Sequence, residues 1–216
     1  MSAGRRPVKQ RQSQWAPAAA RGLIGVGLQP NQVSVASVAL SAIAAGCMLL
    51  GAQAPNTVQS AFLFLAAGAL IELRLICNLL DGLMAVEGGL RSRSGEIFNE
   101  LPDRFSDALV LVAAGYTITV APWGPTLGWA AGLLAVLTAY VRALGGAAGA
   151  AQQFCGPMAK QQRMQTLVVA CVIAPFEWSL GWSGWIMAAA LSVIVLGCLV
   201  TIVRRTRRIV AELESR

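Results

Sequence analysis

The sequence predicts an all-α polytopic membrane protein, with six transmembrane helices preceded by an N-terminal interfacial amphipathic segment. Three observations carry this. The 216 residues are 56% hydrophobic and only 12% charged, about half the ~25% charge of a soluble domain. The apolar residues are gathered into blocks near the ~20 residues that a ~30 Å hydrocarbon core requires at ~1.5 Å per residue. Finally, the Lys and Arg residues between the blocks fall on alternate connections, as a chain crossing a membrane back and forth requires.

In chain order the blocks are 32–52, 59–83, 98–120, 127–150, 164–178 and 182–203. Residues 1–31 form a basic segment in which Arg5, Arg6, Lys9, Arg11 and Arg21 surround Trp15 and short apolar runs. That mixture suits a helix lying in the headgroup region, with a disordered basic tail as the alternative. The segment is too long before the first block for a cleaved signal peptide and is expected to remain. The first span opens at Pro30 and Asn31, where Pro presets the helical φ and Asn31 is a candidate cap. The fifth block is the shortest, and Pro175 is placed to break its far end. Residues 204–216, with Arg204, Arg205, Arg207, Arg208 and Arg216, read as the last helix emerging into a basic cytoplasmic tail. The organisation is therefore an interfacial segment 1–31, a transmembrane domain 32–203 and a tail 204–216.

Orientation follows from the same cations. Both termini, the loop with Arg91 and Arg93, and the loop with Lys160 and Arg163 are basic, whereas the other three loops hold no Lys or Arg. The basic set is expected in the cytoplasm of a bacterial-type inner membrane. The net charge of +7 then reads as topology and contact with anionic membrane lipids, with no nucleic acid implied, since no aromatic-interleaved basic groove accompanies it.

Composition also removes chemistries. With no His in the chain, Ser-His-Asp and Cys-His catalysis and the H-E-x-x-H zinc site are excluded. The five Cys (Cys47, Cys77, Cys155, Cys171 and Cys198) are odd in number, scattered and never in a C-x-x-C pair, so they read as small buried hydrophobes. What remains is carboxylate, amide and Lys/Arg chemistry.

Charges in a span are costly, at ~2.5–3.5 kcal/mol each on insertion scales, and mark function by default. Asn78 and Asp81 share a helix face near the end of the second span, and Asn99, Asp103 and Asp107 step by four along the third. If these helices pack antiparallel, their oxygen-bearing side chains converge just inside the membrane. Oxygen ligands without His or Cys suit Mg²⁺ or Mn²⁺. The alternative is that the acids form buried salt bridges with Arg74, Arg104 or Arg142. Arg142, deep in the fourth span, needs a partner: an anionic ligand, Glu72 or Asp107.

The run from Asn78, Asp81, Gly82, Ala85 and Val86 to Gly95, Asn99 and Asp103 resembles the signature of the CDP-alcohol phosphotransferase family, D-x2-D-G-x2-A-R-x8-G-x3-D-x3-D. The spacing matches throughout, and Asp81, Gly82, Ala85, Gly95 and Asp103 match in identity. The resemblance covers roughly residues 28–164 and includes the family's six-span architecture. It implies a divalent-metal-dependent enzyme of phospholipid synthesis. Such an enzyme transfers a substituted phosphate, phosphatidyl when the donor is CDP-diacylglycerol, to a second alcohol and releases CMP. By resemblance the four acid positions hold metal and the last is the general base. This makes Asp103 the base, Asp81 and Asp103 metal ligands, and Asn78 and Asn99 uncharged ligands. Gly82, Ala85, Gly95, Asn31 and Ser34 would lie at the nucleotide, the last two because Pro30 to Ser34 resembles the family's P-N-x-x-[ST] stretch. A homodimer is likewise implied.

Three positions depart: Asn78 and Asn99 replace Asp, and Val86 replaces Arg. Glu87, Glu100 and Asp107 are nearby acids that could compensate for charge, and Arg91 or Arg93 could replace the lost phosphate contact. Arg142, Lys160 and Arg163 form a candidate cationic pocket for an anionic or polyol acceptor. The rival readings are a catalytically inactive lipid- or nucleotide-binding relative and a small transporter.

On this topology, residues 53–58, 121–126 and 179–181 lie outside the cytoplasm. Single-cysteine labelling on a Cys-free background checks it: a Ser92→Cys probe should react with an impermeant reagent only from the cytoplasmic side, and reaction from the opposite side alone overturns the orientation.

Overall fold

The computed structural model describes residues 15–90, 94–180 and 184–215. Among these the regular structure consists of helices: α1 (Trp15–Gly25), α2 (Pro30–Ala52), α3 (Thr57–Glu87), α4 (Gly95–Tyr116), α5 (Gly124–Ala147), α6 (Lys160–Ser179) and α7 (Trp185–Glu214). Each of the six apolar blocks lies largely within one helix from α2 to α7, and α1 falls within the basic leader. Arg5, Arg6, Lys9, Arg11, Arg91, Ser92, Arg93, Trp182 and Arg216 lie outside the described residues.

Two local expectations are corrected. The residue flanking α2 at its start is Gln29, whose backbone N–H donates to Gln32 Oε1 at 2.9 Å. Asn31 is already inside the first turn, because Pro30 starts the helix one residue before it. Nor does Pro175 break α6, which runs through it to Ser179. In a helix a proline removes one backbone hydrogen bond, and neighbouring helices supply the packing that tolerates the loss. Pro102 inside α4 is a second such case. The basic tail is indeed helix, since α7 continues without interruption to Glu214.

Four helices, α2, α3, α5 and α7, are long and apolar enough to cross a membrane by length and composition. Of those left out, α1 has only 11 residues, whereas α4 and α6 are long enough for a span but carry charge within it. α4 has 22 residues and carries Glu96, Glu100, Asp103, Arg104 and Asp107; α6 has 20 residues and carries Lys160, Arg163 and Glu177. Polarity is turned inward throughout. Arg74, Asp81, Asp103, Asp107 and Arg163 are buried, whereas Leu50, Phe62, Leu133 and Leu196 are exposed. A water-soluble bundle shows the opposite distribution, so the chain reads as a multi-pass membrane protein whose apolar exterior faces lipid.

The sequence suggested that the second and third spans pack against each other. They do so only over a short stretch: α2 packs along both α3 and α4, α6 covers α3, α5 covers α4, and α7 lies against α5 and α6. α2 fits between its neighbours because the buried part of its surface is small. Ser34, Ser37 and Ser41 lie one turn apart along it, and the hydroxyls of Ser37 and Ser41 donate to Ser34 O at 2.7 Å and Ser37 O at 2.9 Å. The hydroxyls of Ser37 and Ser41 are thereby satisfied within their own helix. The main core, with Met48, Phe64, Ile71, Leu111, Leu167 and Leu191, fills the bundle away from the charged residues. A smaller cluster joins α1 to α3 through Ala16, Ala20, Leu80 and Met84.

The α4–α5 contact depends on glycine. A Cβ placed on Gly128 would lie 2.8 Å from the Gly115 Cα and 2.9 Å from the Val112 carbonyl oxygen, so only hydrogen allows the backbones this close. Gly128→Leu should lower stability by at least ~1–3 kcal/mol, the usual cost of overpacking. A drop in the midpoint of thermal unfolding in detergent would register it. Gly22→Ala, where a Cβ meets nothing within 4 Å, is the control and should leave the midpoint in place.

Candidate active site

The charged and amide residues gather at one end of the bundle, around a cavity of about 760 Å³. Helical spacing puts them there. On α3, Arg74, Asn78, Asp81 and Ala85 step by four, three and four, the period of one face. On α4, Asn99, Asp103 and Asp107 step by four. α2 brings Asn31 and Ser34, α5 Thr138 and Arg142, α6 Lys160 and Arg163, and α7 Arg205. Every described residue assigned to the site from sequence lines this single cavity: Asn31, Ser34, Asn78, Asp81, Gly82, Ala85, Gly95, Asn99, Asp103, Arg142, Lys160 and Arg163. Arg91 and Arg93 lie outside the described residues.

The three acids have different surroundings. Asp81 is 3% exposed. The Ser34 hydroxyl donates to its Oδ2 at 2.5 Å and sits 3.2 Å from Pro30 O. Its Oδ1 is buried with no hydrogen-bond partner, and the described residues give it no ion pair. Asp103 is crowded by donors. The Asn78 amide donates to Oδ1 at 2.5 Å, and the Lys160 ammonium to Oδ2. Arg74 and Arg104 stand further off, at 3.5 and 3.6 Å. Asp107, 1% exposed, lies behind the cavity wall. It accepts from Arg74 Nη2 at 2.5 Å and from Arg163 Nη2 at 2.9 Å, one oxygen each.

The salt-bridge alternative read from the sequence applies to Asp107. Asp107 is a buried salt-bridge carboxylate, flanked by two guanidiniums that are themselves fixed. Arg74 Nη1 contacts the Met164 sulfur at 3.1 Å, and Arg163 Nη1 donates to Thr138 Oγ1 at 3.1 Å and Met158 O at 3.0 Å. Asp81 and Asp103 face the cavity. Of the other nearby acids, Glu87 closes α3. Glu100 pairs with Arg142 at 2.6 Å and with Arg104 at 3.6 Å. That pairing corrects the partners suggested for Arg142: Glu72 is bonded to Gln165 at 2.6 Å, and Asp107 is held as described. Arg142 also reaches Gln152 at 3.4 Å and lies 5.3 Å from the Phe154 ring centroid, a cation–π distance.

Sequence reading missed Arg205, assigning it to the tail as a topology residue. It is 5% exposed, donates to Thr138 O at 2.6 Å and Cys155 O at 2.9 Å, and lines the cavity. The available signal was periodicity: Cys198, Thr201, Arg205 and Ile209 form one buried face that continues past the apolar block. Trp15 of α1, part of the leader read as an interfacial segment, also lines the cavity.

The resemblance implies a divalent metal, and the residues present fit a single ion. The fit rests on Asp81 Oδ1, a buried carboxylate oxygen without a partner, in a cavity that Asn78, Asn99 and Asp103 also line. Against a larger centre, the described residues contain no group of three or more His, Cys, Asp or Glu side chains placed to hold a metal. Both oxygens of Asp103 already face donors of this chain.

No protein-family model and no curated protein sequence matches the chain. Solved structures do match. The phosphatidylinositol phosphate synthase of Mycobacterium tuberculosis with CDP-DAG bound superposes with a TM-score of 0.73 at 19% identity, covering 91% of this chain and 94% of that one. Its complex with manganese and citrate gives 0.73 at 20% identity over 90% and 88%. The apo form gives 0.69 at 20% over 88% and 93%. At this identity the likeness establishes a shared fold along nearly the whole chain, in accord with the family resemblance read from the motif.

The contrast between the acids is measurable without any activity. Asp107→Asn leaves two buried guanidiniums without a carboxylate and should cost ~3–5 kcal/mol, lowering the unfolding midpoint sharply. Asp81→Asn removes a buried charge that has no cation against it and should leave the midpoint unchanged or raise it.

Proposed function

We propose that the protein is a membrane phosphotransferase of phospholipid synthesis. It moves a phosphatidyl, or other substituted phosphate, group from CDP-diacylglycerol or a related CDP-alcohol to the hydroxyl of a second alcohol, releasing CMP. The observation that carries this reading is the single cavity lined by Asn78, Asp81, Gly82, Ala85, Gly95, Asn99 and Asp103 of the motif together with Asn31, Ser34, Arg142, Lys160 and Arg163. Support comes from the fold shared with a synthase whose structures hold CDP-DAG in one case and manganese in another.

In this reading Asp103 accepts the proton of the acceptor hydroxyl. The acceptor oxygen bonds to the phosphorus that carries the lipid alcohol, the bond from that phosphorus to the CMP oxygen breaks, and CMP leaves with the electron pair. Lys160 and Asn78 hold the Asp103 carboxylate in one orientation through its two oxygens, which is the positioning that proton transfer requires. Arg142, Lys160 and Arg163 form the cationic wall for an anionic or polyol acceptor. Asn31, Ser34, Gly82, Ala85 and Gly95 form the donor side, and Arg91 or Arg93 supplies the phosphate contact that Val86 lacks. Mg²⁺ or Mn²⁺, held by Asp81 and Asp103 with the amide oxygens of Asn78 and Asn99, would offset charge on the pyrophosphate and on departing CMP. The wider arrangement follows the sequence: six spans in a bacterial-type inner membrane with both termini cytoplasmic, an interfacial 1–31 segment, a transmembrane catalytic domain 32–203, a cytoplasmic tail 204–216, and a homodimer. A lipid-linked donor fits such a site, since its tails stay in the bilayer while its nucleotide enters a polar cavity.

One observation favours a second reading, a catalytically inactive relative that binds lipid or nucleotide: both oxygens of Asp103 are covered by donors of this chain. Release of CMP from CDP-diacylglycerol, assayed with Mg²⁺ or Mn²⁺ and a panel of alcohols, separates the two. Asp103→Asn should lower that release ~10²–10⁴-fold, the usual worth of general-base catalysis, in a protein that still elutes as a single species. No release from the unmutated protein with any donor favours the inactive relative. Arg142→Ala should raise the acceptor KM well above any change in the donor KM; equal effects on both remove Arg142 from the acceptor wall.

A further inference from the structure

The cations around the site are unevenly distributed. Asp107 has Arg74 and Arg163, Glu100 has Arg142, and Asp103 has Lys160 at one oxygen with Arg74 and Arg104 beyond. Among the described residues, Asp81 has no ion pair, and of these four acids it alone has a buried oxygen with no hydrogen-bond partner. Counting the groups in mutual contact, Arg74, Arg104, Lys160 and Arg163 face Asp103 and Asp107. The cluster is thus positive before any ion is added, and a single buried carboxylate, Asp81, is left over beside it.

We infer that the site takes one divalent ion, seated chiefly on Asp81 with Asp103 the weaker carboxylate of the proposed ligand set, and that the ammonium of Lys160 is the fixed second cation of the site, held on Asp103. The inference rests on the phosphotransferase reading for its purpose, since two cations flank the place where a pyrophosphate would lie. Three observations support it. A carboxylate oxygen already bonded to an ammonium is a poor ligand for a second positive charge, because the two cations repel over a few ångströms of poorly screened space. Asn78 and Asn99 contribute amides where carboxylates would be needed to neutralise two divalent ions, and an amide oxygen brings a dipole without a net charge. Lys160 itself is placed by α6, whose first residue it is. It therefore projects from a helix end anchored one turn later by the Arg163 contacts with Asp107, Thr138 and Met158. Such a cation belongs to the fold itself, whereas an ion must be captured from solution.

The test uses the full chain, purified in detergent, and titrates Mn²⁺ while the free ion is followed by electron paramagnetic resonance. The expected result is one Mn²⁺ per chain, lost in Asp81→Asn. Lys160→Met, which removes the neighbouring positive charge and releases Asp103, should tighten Mn²⁺ binding about tenfold or add a second ion. Lys160→Arg, which keeps the charge, should bind Mn²⁺ with the affinity and stoichiometry of the unmutated protein. Elution as a single species and an unchanged unfolding midpoint keep Lys160→Met interpretable. If that variant unfolds, Lys160→Gln gives the same readout with less apolar surface. The inference is overturned if the unmutated chain binds two Mn²⁺ or none, or if both neutral variants leave the affinity unchanged or weaken it. CMP release, measured on the same samples, tells this failure from that of the enzymatic reading: release with two bound ions rejects the inference alone, and one bound ion without release from any donor rejects the enzyme alone.

Discussion

Buried charge is the constraint on which the rest of this structure depends. A carboxylate within an apolar bundle is costly unless a cation stands close by, and the unfavourable desolvation of both is offset only when every partner is held in place. Asp107 meets that requirement twice, with one oxygen on Arg74 of α3 and the other on Arg163 of α6. One α4 side chain thereby ties three helices. Because Arg163 also bonds Thr138 of α5, and Arg205 of α7 donates to the Thr138 carbonyl, the same network reaches five helices without a single exposed ion pair. Inter-helix register at this end of the bundle is set by these bonds, and the cavity walls follow from that register.

This arrangement separates two roles that a motif alone cannot separate. Asn99, Asp103 and Asp107 are equivalent by spacing, each one turn from the next on one helix face. Depth distinguishes them: Asp103 opens on the cavity, whereas Asp107, one turn further in, has guanidiniums on both oxygens. The two asparagines of the motif also differ in what they do. Asn78 uses its amide N–H on Asp103, an interaction that an aspartate there would replace with repulsion between carboxylates. The departure at Asn78 and the presence of Lys160 on the other Asp103 oxygen are thus mutually consistent: each is a donor to the same carboxylate.

Much of this was legible in the sequence because it depends on local period. Blocks of apolar residues gave the helices α2 to α7, and steps of three and four gave the shared faces of Asn78 with Asp81 and of Asn99 with Asp103. The basic leader with Trp15 indicated α1. What was not legible depends on which helices become neighbours. Nothing local shows that α2 inserts between α3 and α4, that Arg142 finds Glu100 in place of Glu72, or that Arg205 turns back into the bundle. The cap at Gln29 and the continuation of α6 through Pro175 escape the sequence for a related reason. Local rules for caps and breakers describe an isolated segment, while here neighbouring helices supply the compensation.

The apolar core beneath the ion-pair network has a consequence for the membrane as an insulator. Past Asp107 the interior is filled by Val110, Leu111, Ala114, Leu167, Ala170 and Cys171, each almost wholly inaccessible. Water and dissolved ions that reach the acids and arginines meet a dry plug, and they must leave through the mouth by which they entered. Charge chemistry can then proceed within the hydrocarbon layer without opening a conductive path across it. The electrical resistance of the bilayer is preserved by a handful of methyl and methylene groups, no less than the site is shaped by its charges.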